Sequence, residues 1–406
     1  MSARDTWPDF SLYRPHPPAT TLIDWIADTR ACTWAWLGDL TPANALGARA
    51  PLLNPPQWEV GHLAWFWEKW LLREGDPARM ASTLVSQTDG LYDSAAVAHG
   101  TRWDIPLLSW PDAWQYLDAV LARVCARLTS TPLTDEIAYF TQLCVFHHDM
   151  HNEAFAMRRQ ELGDLPMAIG LQALVQANPQ GHALEKRMDI AVPAGVHVQG
   201  ATAGSGFEFD NEKWAHEVWH DTFAIASHPV TQGEYARFLD AVGAGDGADR
   251  VSAIAPASAD AWARPASEQP VPANWRRRDG WERRVFDTRQ AITPAAPVVH
   301  VSALQAEAYC AWARRRLPTE TEWEAAQPQL QAQGLVWEWT ATTFAPYPGF
   351  SADPYVEYSA PWFDGAYRVL RGGSVATVAR NLRRSWRNFY APARSDMYCG
   401  FRTCAL

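Results

Sequence analysis

The sequence has 406 residues, a formal net charge of −10, and is 48% hydrophobic and 20% charged. That balance fits a soluble globular chain with material for two cores, at about 100–200 residues per domain. It argues against generic affinity for nucleic acid or an anionic membrane, both of which attract basic surfaces.

Met1 to Leu12 is polar and carries Asp5, Pro8 and Asp9 in place of a basic stretch and an apolar run, so no secretory leader is expected. No apolar run approaches the about 20 residues that cross a bilayer. The six cysteines are scattered without CxxC spacing, which fits reduced thiols in a cytoplasm. Tryptophan is unusually abundant, at 22 residues. Most must fill cores, and any surplus of ring faces suits a quaternary ammonium ligand.

In chain order, residues 1–165 read as helical. Leu22, Ile23, Ile26, Cys32, Trp34, Trp36 and Leu37 recur at helical spacing and predict a first helix over 20–40. Pro55 and Pro56 open a second over 57–72. Trp110-Pro111 precedes a third over 112–128, and Thr134-Asp-Glu-Ile caps a fourth that ends near Gly163. Four long helices predict a four-helix bundle. Residues 166–187 read as a linker. From Met188 to Leu406 short segments such as 190–192, 196–199 and 223–226 alternate with Gly, Pro and Asn, and two helices are expected over 231–242 and 302–314. This predicts an α+β domain with much irregular structure. Residues 244–276, rich in Ala, Pro, Ser and Asp, read as a surface insertion.

The most chemical run is Phe146-His147-His148-Asp149-Met150-His151-Asn152-Glu153. His147 and His151, at i,i+4 on the fourth helix, share one face and can bind one metal ion; His148 and His151 are also within reach at i,i+3. His62, among apolar residues of the second helix, is the candidate third ligand across the bundle. Three neutral imidazoles leave coordination positions open, which suits a catalytic zinc or a dioxygen-binding iron. Glu153 is either an outer support of the site or a solvated carboxylate.

These residues carry a resemblance. The run His147-xxx-His151-x-Glu153 with His62 resembles the ligand pattern of DinB-like bundle domains. Residues 188–406 resemble the formylglycine-generating-enzyme domain, through Asp210-Asn-Glu-Lys213, Pro229 to Tyr235, Arg316-Leu-Pro-Thr-Glu-Thr-Glu-Trp323, Val336-Trp-Glu-Trp-Thr340, Leu370-Arg-Gly-Gly-Ser374 and Gly400-Phe-Arg-Thr403. The pairing is similar to the sulfoxide synthases of ergothioneine biosynthesis and to the selenoneine synthases. The resemblance implies a four-helix bundle bearing His62, His147 and His151 as ligands of Fe(II), then a C-type-lectin-like domain, with the active site between them. It implies small-molecule substrates: hercynine, a thiol or selenosugar, and dioxygen. It implies a tyrosine proton or hydrogen donor in Asp353-Pro-Tyr355-Val-Glu-Tyr358, either Tyr355 or Tyr358. It also implies a substrate loop over 386–394, with Asn388 at the hercynine carboxylate and Trp386 and Phe389 at the ammonium, and with Tyr390 and Arg394 on the same loop.

Formylglycine-generating enzymes need a cysteine pair in the segment matching 374–394, and none stands there. Two departures from many sulfoxide synthases bear on the donor. Tyr390 replaces an acidic residue that helps hold an amino-acid thiol, and Met150 replaces a Gln. With the phrases 54–62 and 91–99, these point to a selenosugar donor and carbon–selenium bond formation; γ-glutamylcysteine or cysteine and a carbon–sulfur bond are the alternative. Arg102 is a candidate donor-binding residue or a structural ion-pair partner. A zinc-dependent thiol transferase and a non-catalytic ligand-binding module are the remaining readings.

Overall fold

The computed structural model describes residues 7–73, 84–164, 187–243 and 270–406. The predicted linker 166–187 lies outside them except for Arg187, as does most of the predicted insertion. Among the described residues no helix is long and apolar enough to cross a membrane. Two compact units form. The first holds 1–158 together with 203–207 and 353–357; the second holds 159–202, 208–352 and 358–406.

The first unit is built on four long helices. α1 (Ala19–Leu37) follows Pro18 and buries Leu22, Ile26, Thr29, Thr33 and Trp36, one residue per turn; it ends at Gly38. α2 (Pro56–Trp67) begins with proline in its first turn, where no backbone donor is lost, and is buried over nearly its whole length. A single wide turn, Glu68–Leu72, continues it where the sequence predicted unbroken α-helix. That turn directs the buried Glu68 carboxylate to the Tyr116 hydroxyl and the Leu84 N–H, each 2.7 Å away. A short α3 (Thr88–Tyr92) interrupts the connection. α4 (Trp110–Ser130) starts two residues before the predicted point because the Ser109 hydroxyl caps the Asp112 N–H. α5 (Asp135–Leu162) starts at the predicted Thr134 cap, whose hydroxyl accepts from the Ile137 N–H at 3.2 Å.

The second unit carries short strands. β1 (Asp189–Val192), β4 (Phe223–Ala226), β13 (Cys404–Ala405) and β8 (Arg315–Arg316) form one sheet, in the order β1-β4-β13-β8. β11 (Asn388–Tyr390), β10 (Arg368–Arg371), β9 (Trp337–Thr343) and β12 (Cys399–Gly400) form another, in the order β11-β10-β9-β12. β2 (Gly195–Gln199) and β3 (His216–His220) make a hairpin. α6 (Gln232–Gly243) and α7 (Ala303–Trp312) match the two expected helices. The predicted insertion is corrected at its end. Trp275 is buried and opens β5 (Trp275–Arg277), the first strand of a meander with β6 (Trp281–Val285) and β7 (Thr288–Ala291).

The motifs that carried the resemblance hold this unit together. Thr319 caps α8 (Glu320–Ala326). From that helix Glu320 and Glu324 take the buried Arg371 at 3.1 and 2.7 Å, and Glu320 takes Arg387 at 2.8 Å. Arg402 pairs with the buried Glu338, which also accepts from the Trp323 N–H at 2.9 Å. Charges buried this deeply survive because each is paired and hydrogen-bonded. Cys399 and Cys404 lie in different sheets, and burial pushes each thiol up to about 12. Placed in separate sheets and outside 374–394, they do not stand where the cysteine pair of formylglycine-generating enzymes is expected.

Candidate metal centre

Two helical stripes face each other in the first unit. On α2, Trp58, His62 and Phe66 recur at i,i+4; on α5, His147 and His151 do. The Trp58 ring stacks on His62 with centroids 4.8 Å apart, and Phe66 stacks on His147 at 3.7 Å. The ring centroids of His62 stand 5.2 Å from His147 and 5.0 Å from His151. One ligand nitrogen from each of the three lies within 4.8 Å of the others.

The hydrogen bonds fix which nitrogens are available. His62 Nδ1 is 2.7 Å from the Tyr92 carbonyl, which only accepts, so Nδ1 carries the proton and the Nε2 lone pair faces the cluster. His62 Nε2 is 3.4 Å from His147 Nε2. His151 Nδ1 is 2.9 Å from Glu59 Oε1, so it too donates outward and leaves Nε2 for a metal. Burial, and then the His151 charge, push His62 and His147 well below the usual imidazole range. Both are therefore neutral near pH 7, the form that ligates. His147 Nδ1 is buried without a hydrogen-bond partner. The lone pairs that converge there make an electron-rich site that a cation satisfies; His147 presents Nε2 to it, and Nδ1 is then the N–H of that ring. The donor set fits a divalent transition metal.

His148, the other i,i+3 partner, faces away. Its Nε2 is 2.7 Å from the Thr33 hydroxyl and its Nδ1 accepts from the Trp67 N–H at 3.2 Å, so both nitrogens are engaged. Glu153 is buried, which removes the solvated-carboxylate reading.

The segment Asp353–Glu357, distant in sequence, belongs to this same unit. The buried Asp353 accepts from the Tyr13 and Tyr139 hydroxyls at 2.9 and 3.0 Å. Pinned there, the segment sets the Tyr355 ring 5.0 Å from Phe66 and 6.0 Å from His147. Tyr358 belongs to the second unit and stacks on Phe209 at 4.2 Å. Burial and the Glu212 carboxylate push its phenol well above the ordinary range. Replacing Asp353 with alanine leaves two phenols without their acceptor, at about 1–3 kcal/mol each. Asp353→Ala is expected to lower the melting temperature, which thermal denaturation checks.

The expected substrate-loop residues all lie in the second unit. Trp386 is buried, edge-on to Trp337 at 5.0 Å. Asn388 opens β11 and accepts the Phe389 N–H at 2.8 Å. Phe389 stacks on Phe344 at 3.9 Å, with Tyr358 and Trp362 at its edges, each 6.3 Å away. Arg394 lies over the Tyr390 ring at 4.6 Å and pairs with Asp396 at 2.6 Å. Arg102 is in the first unit, buried, with its guanidinium 3.8 Å from the Trp58 ring.

Sequence reasoning missed Glu59, Phe66 and the Tyr92 carbonyl. Glu59 left a signal, an acid inside an otherwise apolar helical run. So did Gly61, where any Cβ would stand 2.2 Å from the Tyr92 ring. The bare backbone there lets Tyr92 lie against α2 and bring its carbonyl to His62.

Two domain families match this chain. Residues 26–155 match the DinB superfamily, and residues 173–333 and 329–405 match the sulfatase-modifying factor enzyme 1-like domain. The chain is 32% identical to the hercynine oxygenase of Mycolicibacterium smegmatis, over 87% of its own length and 91% of that protein. It is 22% identical to ergothioneine biosynthesis protein 1 of Schizosaccharomyces pombe, over 96% of its own length and 57% of that protein. It is 28% identical to the formylglycine-generating enzyme of Streptomyces coelicolor, over 57% of its own length and 93% of that protein.

Proposed function

The chain belongs to the family of hercynine oxygenases, the sulfoxide synthases of ergothioneine biosynthesis, which are oxidative enzymes forming a carbon–sulfur bond, and we propose that it joins a thiol sulfur to C2 of the hercynine imidazole with dioxygen as oxidant. The observation that carries this reading is the convergence of His62, His147 and His151, with Tyr355 anchored beside them. Hercynine loses C2–H and the thiol loses S–H. C2–S and S–O bonds form, and the second oxygen atom leaves as water.

His62, His147 and His151 would hold Fe(II), which would supply the redox chemistry that an uncatalysed thiolate and imidazole lack. The chain's own residues do the rest. Tyr92 O and Glu59 lock two imidazoles in the ligating tautomer. Phe66, Trp58 and Trp70 wall the site with rings and keep water from it. Tyr355 holds a phenolic proton or hydrogen atom beside the reacting groups. In the second unit Asn388 offers an amide to the hercynine carboxylate and Phe389, stacked on Phe344 by one face, offers the other to its trimethylammonium, while the buried Trp386 packs against Trp337 and is withdrawn from that role.

The relatives' names, hercynine oxygenase and ergothioneine biosynthesis protein, support sulfur as the donor element over the selenosugar that Tyr390 and Met150 suggested. Tyr390 also gives one ring face to Arg394, which weakens its reading as a platform for a sugar.

The test incubates iron-loaded protein with hercynine, in air, beside γ-glutamylcysteine, cysteine or a 1-seleno-sugar, and reads products by mass spectrometry. A hercynyl sulfoxide from a thiol is the expected result. A hercynyl–selenium product from the sugar alone would replace the sulfur reading.

A further inference from the structure

Arg102 reaches two of the three histidines through direct neighbours. Its Nη1 donates to Asn54 Oδ1 at 2.6 Å. The Asn54 amide in turn donates to Glu59 Oε1 at 3.4 Å, the same oxygen that takes the His151 Nδ1–H at 2.9 Å. On its other side the guanidinium lies 3.8 Å from the Trp58 ring, and Trp58 stacks on His62 with rings 11° from parallel. Its Nη2 donates to the Val97 and Ser94 carbonyls at 3.2 and 3.5 Å, which ties down the segment after α3. That segment follows Tyr92, whose carbonyl orients His62.

We propose that Arg102 is a positioning residue for the metal centre, holding His151 through Asn54 and Glu59 and holding His62 through Trp58. This role rests on the metal-site reading of the preceding subsection. The geometry gives it a physical basis at each link. A guanidinium is planar, so one face covers an indole while its edge donates to an amide; a lysine ammonium does only one of these. The Asn54 amide passes the restraint on, accepting from Arg102 with its oxygen and donating to Glu59 with its nitrogen. Glu59 is buried, so its orientation depends on these few partners and not on water. Arg102 is buried, and both of its Nη atoms are already engaged, by Asn54 and by the Val97 and Ser94 carbonyls.

The experiment titrates Arg102→Met and Asn54→Ala anaerobically with ferrous ion and with cobalt(II), whose visible spectrum reports coordination. Asn54→Ala breaks the bridge to Glu59 while leaving the Trp58 face covered, so it stands in if Arg102→Met folds poorly. Both variants are expected to lose about 10–100-fold in metal affinity, as losing an outer partner of a ligand does. The cobalt spectrum should shift, and at saturating iron the KM for γ-glutamylcysteine should match that of the parent. Arg102→Lys should not restore the affinity. Unchanged metal affinity and cobalt spectrum with a raised thiol KM would overturn the proposal and make Arg102 a donor contact. Absence of metal uptake by the parent protein would instead sink the metal centre itself, an outcome visible before any variant is compared.

Discussion

His147→Ala protein is expected to lose ferrous ion binding by more than the about 100-fold that follows loss of an outer-shell partner, and to form no carbon–sulfur product. Among the described residues His147 is one of three histidines that converge on the candidate metal centre, and its ring is held by the Phe66 stack 3.7 Å away. The neighbouring substitution is the control. His148→Ala removes the acceptor of the buried Trp67 N–H, while the Thr33 hydroxyl keeps Asn152 Oδ1 at 2.7 Å and the Thr29 carbonyl at 3.0 Å; it should cost about 1–3 kcal/mol of stability, while metal binding persists. Metal content by elemental analysis and thermal denaturation of both variants separate the two residues. Retained metal in His147→Ala with loss in His148→Ala would reverse the assignment.

The second large effect belongs to Tyr355. Tyr355→Phe keeps the ring that meets Phe66, Trp70 and His147 and removes only the hydroxyl. Turnover is expected to fall by about 100- to 10,000-fold, the range for losing a positioned proton donor, with metal affinity and hercynine affinity unchanged. Tyr358→Phe should leave the chemical step intact, because Tyr358 belongs to the second unit, and should act on stability only through its buried hydroxyl, since phenylalanine keeps the Phe209 stack. Single-turnover kinetics, with hercynine binding measured by calorimetry, distinguish a lost chemical group from lost binding. Full turnover in Tyr355→Phe and collapse in Tyr358→Phe would transfer the role to the other tyrosine.

The sequence made the helical half legible because helical periodicity is local. The stripes at 22, 26 and 36, the prolines at 55 and 56 and the cap at Thr134 all act within one or two turns. The histidine pair was legible for the same reason, since i,i+4 spacing is a property of the helix alone. Which of His147 and His148 faces inward was not, because it depends on Thr33 from another helix. Tyr355 and Tyr358 were inseparable in sequence for a related reason. Three residues apart, they part company only because two phenols from elsewhere in the chain hold Asp353. The meander from Trp275 to Ala291 was missed because its strands are rich in arginine and other polar residues, the buried Arg283 among them, so they lack the apolar alternation that marks a half-buried strand. The reading of Tyr390 as a departure favouring a sugar took one residue without its neighbour; Arg394, four residues on, covers that ring.

Oxygen uptake is the measurement that bears most directly on the central claim. Iron-loaded protein is mixed with hercynine and γ-glutamylcysteine in an oxygen-electrode cell, and product is counted by mass spectrometry in the same sample. With one oxygen atom entering the sulfoxide and the other leaving as water, one dioxygen should be consumed per hercynyl sulfoxide formed, with no product without air and neither uptake nor product from His147→Ala. A thiol adduct formed without oxygen uptake, and supported equally by zinc, would contradict the oxidative reading and make the three-histidine site that of a thiol transferase.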